Sequence, residues 1–197
     1  VSHRFRQIPN FISSLRILLV IPISLALVHQ QFNTALGLFA VAAASDAADG
    51  FLAKRCGWQS ALGAILDPAA DKLLLATLFV LLAMLGFVPL WLTAVTVGRD
   101  VVIVLGAIAY RICIGPVAMR PSGISKLNTL CQATFILGVT AKQGLAVPPN
   151  WVLVMLGSLT FVIAVISGID YVLRYGRGAW EEAVSRRAIH AGGSRHP

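Results

Sequence analysis

Apolar runs of close to twenty residues, separated by short polar or glycine- and proline-containing breaks, dominate the chain. The runs cover Phe11 to Val28, about Phe32 to Ala53, about Asp67 to Leu85, about Leu90 to Tyr110, about Ser125 to Ala141, and Trp151 to about Tyr171. The breaks fall at Gln30 to Asn33, Lys54 to Leu66, Gly86 to Pro89, Arg111 to Ile124 and Gln143 to Asn150. A helix needs about 20 apolar residues to cross a bilayer. Membrane-barrel strands instead alternate apolar and polar positions over about ten residues. The pattern therefore predicts an all-α fold, an integral membrane bundle of six transmembrane helices. The first run could imitate a signal peptide. It is followed by His29-Gln30-Gln31 and not by a small-residue cleavage site, so it is expected to stay as a helix. No internal repeat or low-complexity stretch is visible.

Composition sharpens the picture. Hydrophobic residues make up 57% of the 197 residues and charged residues 12%, against about 25% charged in an average soluble domain. Six spans leave no room for a sizeable soluble domain. We expect one membrane domain over residues 1–177 and a basic, mobile cytoplasmic tail over 178–197. The 16 Lys and Arg against 8 Asp and Glu give a formal charge of +8. Such an excess can signal nucleic acid, but its distribution points elsewhere. Arg4 and Arg6, Lys54 and Arg55, Arg111, Arg120 and Lys126, and the Arg-rich tail all fall on one side of the predicted bundle, and Lys142 on the other. Positive loops stay cytoplasmic. Both termini are thus expected in the cytoplasm, in an inner membrane, with no nucleic-acid partner. Trp58, Trp91, Trp151 and Trp180 sit near span ends, as interfacial anchors do. Cys56, Cys113 and Cys131 lack a CxxC or CxxH spacing and read as reduced packing residues.

The acidic residues carry the candidate chemistry. Asp46 and Asp49 close span two, and Asp67 and Asp71 open span three. Spacings of three and four put each pair on one helix face, and the two spans meet at the cytoplasmic edge. An ionised Asp costs roughly 3 kcal/mol at a helix centre on insertion scales, and four like charges repel. One reading pairs them with Lys54, Arg55 and Lys72. The other, which accounts for all four charges, is divalent metal. Carboxylates with no His or Cys nearby select hard ions such as Mg²⁺, Mn²⁺ or Ca²⁺. Four carboxylates balance two of them, and paired ions serve phosphoryl chemistry. Gly50, Ala53 and Gly63 would let helices and a phosphate approach closely, or serve ordinary helix packing. A cation transporter is a distant alternative, since transport sites tend to lie near the midplane between repeats.

The run Asp46-Ala47-Ala48-Asp49-Gly50-Phe51-Leu52-Ala53-Lys54, eight residues, then Gly63-Ala64-Ile65-Leu66-Asp67-Pro68-Ala69-Ala70-Asp71, closely resembles the signature of the CDP-alcohol phosphotransferases, D-x-x-D-G-x-x-A-R, eight residues, G-x-x-x-D-x-x-x-D. Lys54 stands where that pattern has Arg; it keeps the charge and gives up the two-pronged donor geometry. Pro9-Asn10-x-x-Ser13-x-x-Arg16 resembles the first-helix pattern of the branch that forms phosphatidylglycerophosphate and cardiolipin. Arg99-Asp100 and Ser125-Lys126-Leu127-Asn128-Thr129 look more like its cardiolipin-forming members.

The resemblance implies six membrane helices, a homodimer, and attack of an alcohol on the phosphatidyl phosphorus of CDP-diacylglycerol with release of CMP. The expected acceptor is phosphatidylglycerol, giving cardiolipin; the alternative is glycerol 3-phosphate. By position, Asp46, Asp49, Asp67 and Asp71 would hold two Mg²⁺ or Mn²⁺ ions, with Asp71 also the general base. Gly50, Ala53, Lys54, Gly63, Asn10 and Ser13 would bind the CDP-lipid. Arg99, Lys126 and Arg16 are candidates for an anionic acceptor. Each has a plainer reading: an internal Arg99–Asp100 pair, a boundary Lys126 reaching for water, and an Arg16 that anchors its span.

Overall fold

The computed structural model describes the backbone of residues 8–43, 63–113 and 123–192, and side chains over 18–43, 71–106, 108 and 123–173. The described chain is helical throughout: α1 Ile8–Val28, α2 Phe32–Ala43, α3 Gly63–Met84, α4 Leu90–Cys113, α5 Gly123–Leu145 and α6 Asn150–Gly192. No strand occurs among the described residues. Among the described residues, helices begin and end within a turn or so of the breaks in the apolar pattern, with one exception; the expected end of the second span, near Ala53, lies outside them. The basic tail, expected to be mobile, prolongs α6 to Gly192. Its Ala-, Glu- and Arg-rich sequence contains good helix formers, and no proline interrupts it before Pro197.

Local chemistry explains the turns. Gly86, at φ 81°, closes α3. Its N–H donates to Ala83 at 3.0 Å and that of Phe87 to Leu82 at 2.9 Å, the paired bonds of a left-handed helix cap. Pro89 then opens α4, its carbonyl accepting from Leu92 at 3.1 Å and Thr93 at 3.2 Å. The α1–α2 turn uses the same cap with Gln30 at φ 56°, a position that normally favours glycine.

Helix α3 packs against α1, α4 and α5, while α6 packs against α4 and α5. Ile23 and Leu27 of α1, Ala35 and Phe39 of α2, Leu74, Leu78, Phe79 and Leu82 of α3, and Phe135 and Ile136 of α5 share one buried cluster. The rings of Phe79 and Phe135 stack at 6.0 Å. Glycines bring α5 and α6 together. A Cβ on Gly138 would lie 3.1 Å from Leu153, and one on Gly157 3.2 Å from Phe135.

The surface is inverted relative to a water-soluble bundle. Leu18, Leu73, Leu105, Leu130, Val154 and Ile169 are exposed, while Arg99, Asp100, Asn128, Gln132 and Ser167 are buried. Threonine hydroxyls on these helices bond back to their own helix, as with Thr96 to Leu92, Thr134 to Leu130 and Thr140 to Ile136. Among the described residues, the stretch Asn150–Leu173 has both the length and the apolarity to cross a membrane.

Replacing Gly157 by Leu forces a side chain into the Phe135 ring, so the thermal midpoint in detergent should drop. Overpacking of this kind costs about 1–3 kcal/mol. Gln30→Gly should raise the midpoint, because it relieves a left-handed backbone costing roughly 1 kcal/mol.

Candidate active site

Side-chain pairings set the register in which the helices deliver polar groups. Thr93 on α4 donates to the Phe79 carbonyl of α3, and Asp100 lies 3.6 Å from Lys72. Helices α3 and α4 therefore run antiparallel. Carried one turn further, that register brings Asp71 opposite Val101 and Asp67 opposite Leu105. Arg99 bonds Ser167, and Tyr171 donates to the Ile103 carbonyl at 2.7 Å, so α4 and α6 run parallel. Leu105 then falls level with about Leu173, the last residue of the apolar stretch of α6. Asp67 thus lies at the height where that stretch ends, Asp71 one turn deeper, and Lys72 beside it.

At the depth of Asp71 the bundle holds a buried polar cluster. Arg99 is 7% exposed and Asp100 9%. One terminal nitrogen of Arg99, Nη1, donates to Asp100 Oδ1; the other, Nη2, donates to Ser167 and, at 3.2 Å, to Ser125. Gln132 Nε2 approaches the second Asp100 oxygen at 3.5 Å. Two cations, Arg99 and Lys72, share the single carboxylate of Asp100. Among the described residues, Arg99 Nε has no partner, and neither do the carboxamide nitrogen and oxygen of fully buried Asn128. Buried polar atoms left unmatched cost about 1–3 kcal/mol each. The cluster has unused donors and acceptors able to meet an anionic, hydroxyl-bearing molecule.

The expected site residues divide accordingly. Asp46, Asp49, Gly50, Ala53 and Lys54 lie outside the described residues. Asn10, Ser13 and Arg16 lie on α1, and Gly63 and Asp67 on the first turns of α3; their side chains also lie outside them. Asp71 is half-buried on α3. Arg99 is the centre of the cluster. Its pairing with Asp100 is the internal ion pair expected as the plainer reading, with one donor to spare. Lys126 is exposed at the start of α5, outside the cluster. Of the cations suggested for the acidic residues, Lys72 is held beside Asp100, and Lys54 and Arg55 lie outside the described residues. Among the described residues no three His, Cys, Asp or Glu side chains converge. Sequence reasoning missed Ser125, Asn128, Gln132 and Ser167 as members of one site. The available signal was the spacing of Ser125, Asn128 and Gln132, which stripes one face of an otherwise apolar span.

A family model described as CDP-alcohol phosphatidyltransferase matches residues 6–168. The chain is 32% identical over 186 residues to human "Cardiolipin synthase (CMP-forming)", covering 86% of this chain and 62% of that one. It is 31% identical over 179 residues to the "Probable phosphatidylglycerophosphate synthase" of Mycobacterium tuberculosis, covering 87% and 82%. A "CDP-diacylglycerol--glycerol-3-phosphate 3-phosphatidyltransferase" of Pseudomonas fluorescens is 44% identical over 104 residues, covering 49% of this chain and 52% of that one. The chain spans about three fifths of the length of the human and rat proteins it matches.

Replacing Asp100 by Ala strands Arg99 and Lys72 without their shared counter-charge. Breaking a buried pair in this way costs about 3–5 kcal/mol, so the detergent-solubilised variant should unfold at markedly lower temperature. An unchanged midpoint would mean that water reaches the guanidinium.

Proposed function

The chain belongs to the CDP-alcohol phosphatidyltransferase family, and from that premise we propose that it transfers the phosphatidyl group of CDP-diacylglycerol to phosphatidylglycerol, forming cardiolipin and CMP. The observation that carries this reading is the depth shared by Asp71 and the Arg99 cluster. A base and an anion-binding group are brought to one level by Lys72, the neighbour of Asp71, held 3.6 Å from Asp100.

In the proposed reaction a glycerol hydroxyl oxygen of the acceptor bonds to the phosphorus of the phosphatidyl group. The bond from that phosphorus to the CMP oxygen breaks, and its electron pair leaves with CMP. The hydroxyl proton passes to the Asp71 carboxylate, which needs hydrogen-bond reach to that oxygen. Arg99 meets the acceptor's phosphodiester. Asn10, Ser13, Gly50, Ala53, Lys54 and Gly63 are assigned to the CDP-lipid, the glycines for close backbone approach to its pyrophosphate.

The donor set of Asp46, Asp49, Asp67 and Asp71 is all oxygen and fits two Mg²⁺ or Mn²⁺ ions. When bound, such ions supply neutralisation of the phosphoryl oxygens and of departing CMP. The inverted surface, apolar outside and charged within, supports six membrane-spanning helices. Under the positive-inside rule both termini and the site face the cytoplasm of an inner membrane. The enzyme is taken to work as a homodimer, with its basic tail on the cytoplasmic side.

Glycerol 3-phosphate is the second reading. The relatives from Mycobacterium and Pseudomonas are named for that chemistry, and its phosphate would meet the same guanidinium.

Purified protein given CDP-diacylglycerol, Mg²⁺ and each acceptor separates the two. Cardiolipin from phosphatidylglycerol is expected; product from glycerol 3-phosphate alone would favour the second reading. Asp71→Asn should abolish transfer while equilibrium binding of CDP-diacylglycerol survives, and normal turnover would remove Asp71 as base.

A further inference from the structure

Between α4 and α6 lies a groove of about 360 Å³, lined by Val95, Arg99, Gly168, Ile169, Val172 and Leu173 among others. Its walls are apolar except for Arg99. Ile169, Val172 and Leu173 are 56%, 59% and 54% exposed, so its outer rim is open to the surroundings. Gly168 keeps it clear at the inner wall: the nearest atom a Cβ there would meet is Cγ of Arg99, at 3.6 Å. The floor is Arg99, 7% exposed: its aliphatic stem faces the groove, and the buried Nε, unpartnered among the described residues, lies behind that stem while the other two nitrogens are engaged.

This pairing of features is selective. An apolar wall gives nothing to a small polyol phosphate, which would gain only from the guanidinium. A buried cation gives nothing to a neutral hydrocarbon. A molecule with an acyl chain and an anionic group satisfies both at once. The placement agrees: the groove runs from the depth of Asp71 to Leu173, where the apolar stretch of α6 ends and where the α3 register brings Asp67.

We propose that the α4–α6 groove is the binding site of the phosphatidylglycerol acceptor, which enters sideways from the cytoplasmic leaflet with an acyl chain along Gly168, Ile169 and Val172 and its phosphodiester against Arg99. The inference rests on the reading of a lipid acceptor and adds where that lipid sits.

Two substitutions narrow the groove. Gly168→Leu fills its inner wall. Ile169→Trp covers its rim at a position already exposed, so it decides alone if the first variant fails to fold. Full-length protein is reconstituted in phosphatidylcholine vesicles holding CDP-diacylglycerol and graded phosphatidylglycerol. The KM for phosphatidylglycerol should rise about tenfold, the scale of one lost apolar pocket contact, while that for CDP-diacylglycerol stays where it was. Phosphatidylglycerol with a photoactivatable diazirine in its acyl chain should label residues 164–173 of the wild type, and Ile169→Trp should suppress that labelling. An unmoved phosphatidylglycerol KM, or a rise in both constants together, overturns the assignment. So does disulfide crosslinking of two copies through Ile169→Cys, which would make the groove a dimer seam. If the wild type forms no cardiolipin, the acceptor reading falls by itself, and the labelling pattern still decides whether this groove holds the lipid.

Discussion

A charge removed from water must find a counter-charge, and this bundle is organised around that requirement. Arg99 is almost wholly enclosed and is held by Asp100, Ser125 and Ser167, which come from three different helices. The contacts to Ser125 and Ser167, with the Lys72–Asp100 pair, tie α4 to α5, α6 and α3 at one depth. The register of α3, α4, α5 and α6 is therefore fixed by polar groups, while the apolar side chains of Ile23, Leu78, Phe79 and Phe135 fill the space around them. In an apolar surrounding, hydrophobic contact alone discriminates poorly between helix partners, and hydrogen bonds with small-residue packing carry more of the specificity. The close approach of α5 and α6 at Gly138 and Gly157 lets Thr160 of α6 reach the Cys131 carbonyl at 3.3 Å.

That arrangement leaves a deliberate surplus. Asp100 serves two cations, and among the described residues Arg99 Nε and the Asn128 carboxamide stay unmatched. A purely structural network would be expected to close on itself, since half-satisfied polar groups weaken a core. On the proposed reading the surplus is completed by the acceptor's phosphodiester and hydroxyls. The groove then follows from the same logic: it is the apolar path along which a lipid brings an anion to a cation that water does not reach.

Much of this was legible in the sequence because the dominant signals were coarse. Six apolar runs with Gly86, Pro89 and Gly123 at or near their breaks gave six helices, within a turn or so of those ends that fall among the described residues. The exception, the extension of α6 to Gly192, arose because hydropathy marks where a span ends and says nothing about where a helix does; the polar, proline-free tail simply continues it. The motif from Asp46 to Asp71 pointed to the family through fixed spacing. The cluster around Arg99 was only half visible. Arg99-Asp100 stands out as two charges in an apolar run, but Ser167, Gln132 and Lys72 join them from helices whose rotation and register no single run encodes. Lys126 shows the converse: its neighbour Ser125 reaches Arg99, yet one residue's rotation along α5 turns the lysine outward.

The same requirement of neutralisation applies to the four carboxylates of the motif, and there the proposed partners are dications. Electron paramagnetic resonance of the purified protein titrated with Mn²⁺ tests this directly. The account predicts two ions bound per chain with the signal of a magnetically coupled pair, and loss of that coupling in Asp67→Asn. A single uncoupled ion, or no binding at all, would contradict it.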